Sequence, residues 1–195
     1  MKRFLSLLTV ALVGALVMSA CGNATDNAGG TSSSSSKADF NDADITFAQS
    51  MIPHHTQAVV MAKMAASHAE SPAVTDLATK IEAAQGPEID TMTGWLKAWG
   101  QEAAAGSGGM DGMDHGYGEM PGMMGDDDMK SLDSANGAAF DRMFLTMMIR
   151  HHEGAIEMAK TEQADGKNAD AVALAKQIQA DQEAEITQMK DLLKS

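Results

Sequence analysis

Phe47-Ala48-Gln49-Ser50-Met51-Ile52-Pro53-His54-His55-Thr56-Gln57-Ala58 has a second version in the same chain, Phe144-Leu145-Thr146-Met147-Met148-Ile149-Arg150-His151-His152-Glu153-Gly154-Ala155. The offset between them is 97 residues, and it persists without a gap. Met61, Ala62 and Lys63 recur as Met158, Ala159 and Lys160. Leu77, Ala78, Ile81, Ala83, Gln85, Glu88, Ile89 and Met92 recur as Leu174, Ala175, Ile178, Ala180, Gln182, Glu185, Ile186 and Met189. A fixed register over about fifty residues marks a duplicated supersecondary unit.

Each unit reads as two helices. Asn41 or Asp42 can cap a first helix running to about Ala69. Ser71 and Pro72 then supply a cap and a proline at the first helical position, where a missing N–H costs nothing. The second helix, with Leu77, Ile81, Ile89, Met92 and Leu96 on its apolar face, reaches about Trp99. In the second copy the helices cover about Asn136 to Ala164 and Asn168 to Leu193, with Asp165-Gly166-Lys167-Asn168 as the turn. Pro53 lies inside the first helix and predicts a kink before His54, or a break. Its counterpart is Arg150, so the hairpin does not depend on it. Amphipathic helices joined by short turns bury their stripes against one another. The expected fold is therefore all-α: an antiparallel four-helix bundle built from two duplicated hairpins, 42–99 and 136–195, with 100–135 as a Met/Gly-rich linker.

The N-terminal residues belong to targeting. Lys2 and Arg3 precede an apolar run from Phe4 to Val17, and Ser19-Ala20-Cys21 follows, so 1–20 reads as a secretory signal. Leu16-Val17-Met18-Ser19-Ala20-Cys21 resembles a bacterial lipobox, which makes Cys21 the expected site of lipidation and the membrane the expected partner of the lipid. Cys21 is the only cysteine, which excludes an intrachain disulfide. Residues 21–41, with five consecutive serines from Ser32 to Ser36, read as a flexible tether. The chain holds 14 basic and 27 acidic residues; without Lys2 and Arg3 the formal charge moves from −13 to −15. Nucleic acid needs a basic footprint and is excluded as a partner.

The chemistry concentrates in histidine and methionine. His54, His55, His151 and His152 form the two matching pairs. Neighbours on a helix point about 100° apart, so one member of each pair is expected to face the core while the other flanks it. Met51 lies four before His55, Met148 four before His152 and Met147 four before His151; Met61 and Met158 lie seven after His54 and His151. These spacings put imidazoles and thioethers on shared faces, a donor set suited to copper and above all copper(I). The alternative is core packing by the methionines, with the histidines satisfied by Gln85, Glu88, Gln182 and Glu185 from the partner helices. The linker is a separate signal. Met110, Met113, Met120, Met123 and Met124 accompany His115 in a glycine-rich stretch with no periodicity that would place them in a core. Such a chain can wrap a soft cation. Asp126-Asp127-Asp128 reads as a solvated turn.

A di-iron carboxylate centre requires Glu-x-x-His on two helices, and neither helix carrying a histidine pair has it. His-Glu-x-x-His, a phosphate loop and Gly-x-Ser-x-Gly are likewise missing from the sequence.

Met51-Ile52-Pro53-His54-His55 with Ala58 and Met61-Ala62, Trp95-Leu96-Lys97-Ala98-Trp99, Phe140-Asp141-Arg142 and Met148 to Ala155 together resemble the DUF305 family of bacterial ferritin-like helical proteins, over about residues 42–195. The resemblance implies an exported, ferritin-like bundle in which His54, His55, His151 and His152 are the bundle ligands, and it implies copper binding and tolerance for some members. The expected function is an extracytoplasmic copper-binding lipoprotein that sequesters, buffers or passes on copper, not an enzyme. A structural or interaction module at the cell surface and a metal-dependent redox enzyme are the alternatives. A second copy of the chain or a copper-transfer protein are the macromolecular partners left open.

Overall fold

A computed structural model describes residues 39–103 and 120–194. Within these, every regular element is helical: α1 (Asp42–His68), α2 (Pro72–Ala98), α3 (Asp126–Ser134), α4 (Gly137–Asp165) and α5 (Ala169–Leu192). α1 packs tightly on α2 and α4 on α5, while α1 lies against α4; α2 and α5 meet only sparingly. The fold is thus two hairpins joined along the seam between their first helices. None of the described helices is long and apolar enough to cross a membrane.

Local chemistry sets the helix ends. Asn41 accepts hydrogen bonds from the N–H groups of Ala43 and Asp44 while Asp44 accepts from the Asn41 N–H, a complete capping box. Asn168 caps α5 in the same way through the N–H groups of Asp170 and Ala171. Ser71 holds the cap position of α2 but makes no side-chain capping bond. α1 continues through Pro53 without a break. The linker contains α3, a helix its sequence does not announce. Asp126, Asp127 and Asp128, expected as a solvated turn, form its first turn, where the helix dipole favours negative charge.

The core has two apolar clusters exchanged by the duplication. One gathers Phe47, Ala48, Met51 and Ile52 from the start of α1, Met92 and Leu96 from the end of α2, Ala155 and Ala159 from the later part of α4, and Ala175 and Ile178 from α5. The other holds their counterparts, including Phe144, Leu145, Met148, Met189, Ala58, Ala62, Ala78 and Ile81. α1 and α4 therefore run antiparallel, and a pseudo-twofold axis passes between the clusters. The second cluster is extended by Leu132 of α3, Phe140 and Met124.

Matching clasps close the two ends. Asp141 accepts the N–H groups of Glu70 (3.2 Å) and Ser71 (2.9 Å) in the α1–α2 turn. Its counterpart Asp44 accepts those of Lys167 (3.0 Å) and Asn168 (2.8 Å) in the α4–α5 turn. Each first helix thereby grips the turn of the opposite hairpin.

Candidate functional site

The pseudo-twofold axis runs through the histidines. His54 and His151 meet across the α1–α4 seam with ring centroids 3.7 Å apart and their planes tilted by 37°. His55 and His152 turn instead toward their own second helices: His55 Nε2 lies 2.8 Å from Glu88 Oε2, and His152 Nε2 lies 2.6 Å from Glu185 Oε2. All four imidazoles are fully buried, so the expectation that one member of each pair would flank the core is corrected: both members turn inward. They form a polar layer between the two apolar clusters.

Burial determines the electrostatics of this layer. Desolvation, helped by the neighbouring imidazoles His55 and His152, lowers the His54 pKa to about 3 despite the opposing hydrogen bond to Pro121. Desolvation and the proximity of His54, His152 and His55 hold His151 well below the ordinary histidine value. Both rings are neutral at physiological pH, the form that binds metals. His54 Nε2 meets the carbonyl oxygen of Pro121 at 3.1 Å. A carbonyl only accepts, so Nε2 carries the proton and Nδ1 the lone pair. The Nδ1 atoms of His54, His55 and His152, and both nitrogens of His151, are buried without a hydrogen-bond partner. A carboxylate on one imidazole nitrogen with the other left free is the arrangement by which proteins orient a ligating histidine. Glu88 and Glu185 are the carboxylates on His55 and His152, as the repeated spacing predicts. Gln85, which was an expected partner too, has no hydrogen bond on its side chain, and Gln182 Oε1 has none either.

The methionines divide into three groups. Met51, Met61 and Met148 are completely buried in the apolar clusters, and Met158 packs against one of them. Met147 packs against the second cluster and lines an open groove with Asp128, Arg142, Met143 and Arg150. Met120, Met123 and Met124 belong to the end of the linker. Met124 is 3% exposed, with its sulfur 2.7 Å from Arg150 Nη2, so the expectation that linker methionines lack a packing role fails there. Cys21, Met110, Met113 and His115 lie outside the described residues. Among the described residues, no three His, Cys, Asp or Glu side chains come together as a metal-holding group. A metal held here takes imidazole with thioether, or two imidazoles alone.

Residues 120–124 were not expected at this site. Met123 N–H bonds to Met120 C=O at 3.2 Å, and Gly122 has φ +78°. Pro second and Gly third with positive φ is the pattern of a type II turn. The Pro121-Gly122 pair was the sequence signal that could have revealed it.

Comparison with known proteins follows this geometry. The family described as Domain of unknown function (DUF305) matches residues 44–193. A DUF305 protein of Streptomyces coelicolor is 34% identical, with a TM-score of 0.69 over 77% of this chain and 91% of its own. CopM in its Cu(II)-bound form is 35% identical, with a TM-score of 0.66 over 77% of this chain and 95% of its own. CopM in its Cu(I)-bound form is 32% identical, with a TM-score of 0.63 over the same shares. No curated protein sequence matches. With its doubled histidine motif inside the matched span, the chain belongs to the DUF305 family.

Proposed function

We propose that this protein is an extracytoplasmic copper-binding lipoprotein that sequesters, buffers or passes on copper. One observation carries the reading: a layer of buried imidazoles with unpartnered nitrogens, centred on the neutral pair His54 and His151. It lies in a fold shared with CopM, which has been seen with Cu(II), Cu(I) and silver. These imidazoles, with Met51, Met148 and the methionines of the linker, suit copper(I) best. Copper is the cargo in this reading, and no residue is assigned a catalytic step. The architecture is read as a ferritin-like bundle whose α1–α4 seam forms the metal layer. Lipid on Cys21 and the tether 21–41 hold it at the membrane, and a copper-accepting protein or a second copy of the chain completes the partner set.

The test is a titration with copper(I) and copper(II) against calibrated competing chelators. A variant with His54, His55, His151 and His152 changed to Ala and a second with Met110, Met113, Met120, Met123 and Met124 changed to Leu are compared with the native chain. Circular dichroism checks the fold. Stoichiometric uptake lost in the first variant supports the bundle site, and loss in the second supports the linker. Weak uptake unchanged by both sinks the proposal and favours an interaction module, whereas copper-dependent oxygen consumption over many turnovers would make the protein an enzyme.

A further inference from the structure

The histidine layer is covered by the end of the linker. His54 and His151 have no exposed surface, yet the segment over their seam is a turn and not a helix. Pro121 places its carbonyl on His54 Nε2. The neighbouring Gly122 lies against the α4 backbone, where a Cβ would stand 2.5 Å from Arg150 O and 3.0 Å from His151 O. Gln57 of α1 holds the far end: its amide donates to the Met124 carbonyl and accepts from the Met124 N–H, both at 2.8 Å. On α4 the duplication puts Gly154 opposite Gln57, and a Cβ there would run into the Pro121 carbonyl. One member of this equivalent pair grips the segment and the other leaves room for it.

We propose that Pro121–Met124 is a strap that closes the imidazole pair, and that metal reaches His54 and His151 when the strap lifts. The inference rests on reading that pair as the metal site. While strapped, His54 Nε2 is committed to a proton and a carbonyl and is closed to a metal. Gln57 and Gly154 are the positioning residues: one sets how tightly the strap is held, the other whether it can seat at all.

The test needs no metal. The full native chain, Gln57→Ala and Gly154→Ala are treated with diethylpyrocarbonate, and carbethoxylation of His54 and His151 is followed by peptide mass spectrometry. Amide hydrogen exchange is read at Met123 and Met124, and across α1 and α4. Gly154→Ala favours the helix it occupies, so it displaces the strap without weakening α4. Losing two hydrogen bonds in Gln57→Ala raises the lifted population by about 5- to 150-fold. Labelling of both histidines and exchange at Met123 and Met124 should rise together by that factor, with exchange elsewhere in α1 and α4 unchanged. Faster exchange at Met123 and Met124 with labelling unchanged would overturn the strap as the cover, as would native labelling as fast as that of a free imidazole. A stopped-flow arm with copper(I) separates the two readings. Labelling that rises in variants that take up no copper would sink the copper assignment and leave the strap standing.

Discussion

The two clasps are built on one plan, and they differ in the depth and surroundings of their aspartates. Asp141 and Asp44 hold equivalent pairs of backbone N–H groups. Behind Asp44 sits Glu162, 1% exposed, where the first copy has Ala65. Neither carboxyl oxygen of Glu162 receives an N–H or O–H from elsewhere in the protein. Burial, then the hydrogen bond and charge of Asp44 and the charge of Asp165, raise its pKa to about 8. Burial also pushes Asp44 up, but bonds from Asn168, Glu162, Asn41 and Lys167 outweigh it, and Asp44 stays below its ordinary value. The opposite shifts put the proton on Glu162 and the charge on Asp44. The same pattern holds elsewhere. Positions alike in both copies build the helices and the core, and positions that diverged (Pro53 and Arg150, Gln57 and Gly154, Ala65 and Glu162) carry the asymmetric features. Arg150, for instance, pins α3 through Asp128 at 2.6 Å.

The largest difference between the two halves should lie in the core. Phe144 is completely buried and stacks on Phe140 at 5.8 Å, whereas its counterpart Phe47 has no such aromatic partner among the described ring contacts. Phe144→Ala should cost about 3–5 kcal/mol in urea unfolding, and Phe47→Ala less. Equal losses would mean that the clusters are energetically the same despite their different surroundings.

The clasps come next. Asp44 is fully buried and receives three backbone N–H groups, the third from Asn41 at 2.6 Å. Asp44→Ala leaves them unsatisfied and should cost about 1–3 kcal/mol. Asp141→Ala, at a half-buried position with two bonds, should cost less. The reverse order would show that relief of Glu162 compensates the loss of Asp44.

Acidity sharpens the contrast further. Glu162 ionises near 4.5 in the unfolded chain and near 8 in the fold. The folded state binds the extra proton between those values, so this contribution is complete below about pH 4.5 and disappears as pH rises toward 8. His54 behaves oppositely. It titrates near 6.5 unfolded and about 3 folded, so its contribution is complete above pH 6.5 and lost as pH falls toward 3. Each proton tilts stability by at most ~1.4 kcal/mol per pH unit. From these two groups melting temperature should rise from about pH 3 to 4.5, stay level to about 6.5 where the slopes cancel, and fall toward pH 8; Glu162→Gln should remove the alkaline fall and let the rise continue to about 6.5. An unchanged alkaline slope would remove Glu162 from the account.

The smallest effect belongs to the surface. Lys63–Glu82 and Lys190–Glu153 are exposed pairs at 3.7 and 3.8 Å. Lys63→Ala and Lys190→Ala should each shift stability by less than about 0.5 kcal/mol, and a larger change would reveal a network beyond these contacts.

Periodicity explains why the helices were readable and their contents less so. The 97-residue register places α1, α2, α4 and α5 to within about one residue at most ends, because caps such as Asn41 and Asn168 are local signals. α3 was not legible: it has nine residues, three aspartates and a single buried side chain, Leu132, so it shows no stripe. The close ring contact of His54 and His151 was foreseen only as proximity. That all four imidazoles are buried follows from the antiparallel crossing of α1 and α4, which neighbouring residues cannot specify. The glutamate partners were legible from spacing, since His55 to Glu88 and His152 to Glu185 share one interval of 33 residues. The strap was not, because it joins residues 67 apart through backbone atoms that have no identity in sequence.

A leucine at position 151 would bring more dispersion contact and no desolvated nitrogen to its neighbours. Instead the centre of the molecule keeps two polar atoms of His151 out of water with nothing in return, a deficit that ordinary proteins remove from their interiors. Natural folds tolerate such a flaw where activity depends on it. His151→Leu should therefore yield a hardier protein, with a higher urea midpoint, and the durability gained would measure how much steadfastness this interior surrenders by keeping an imidazole at its centre.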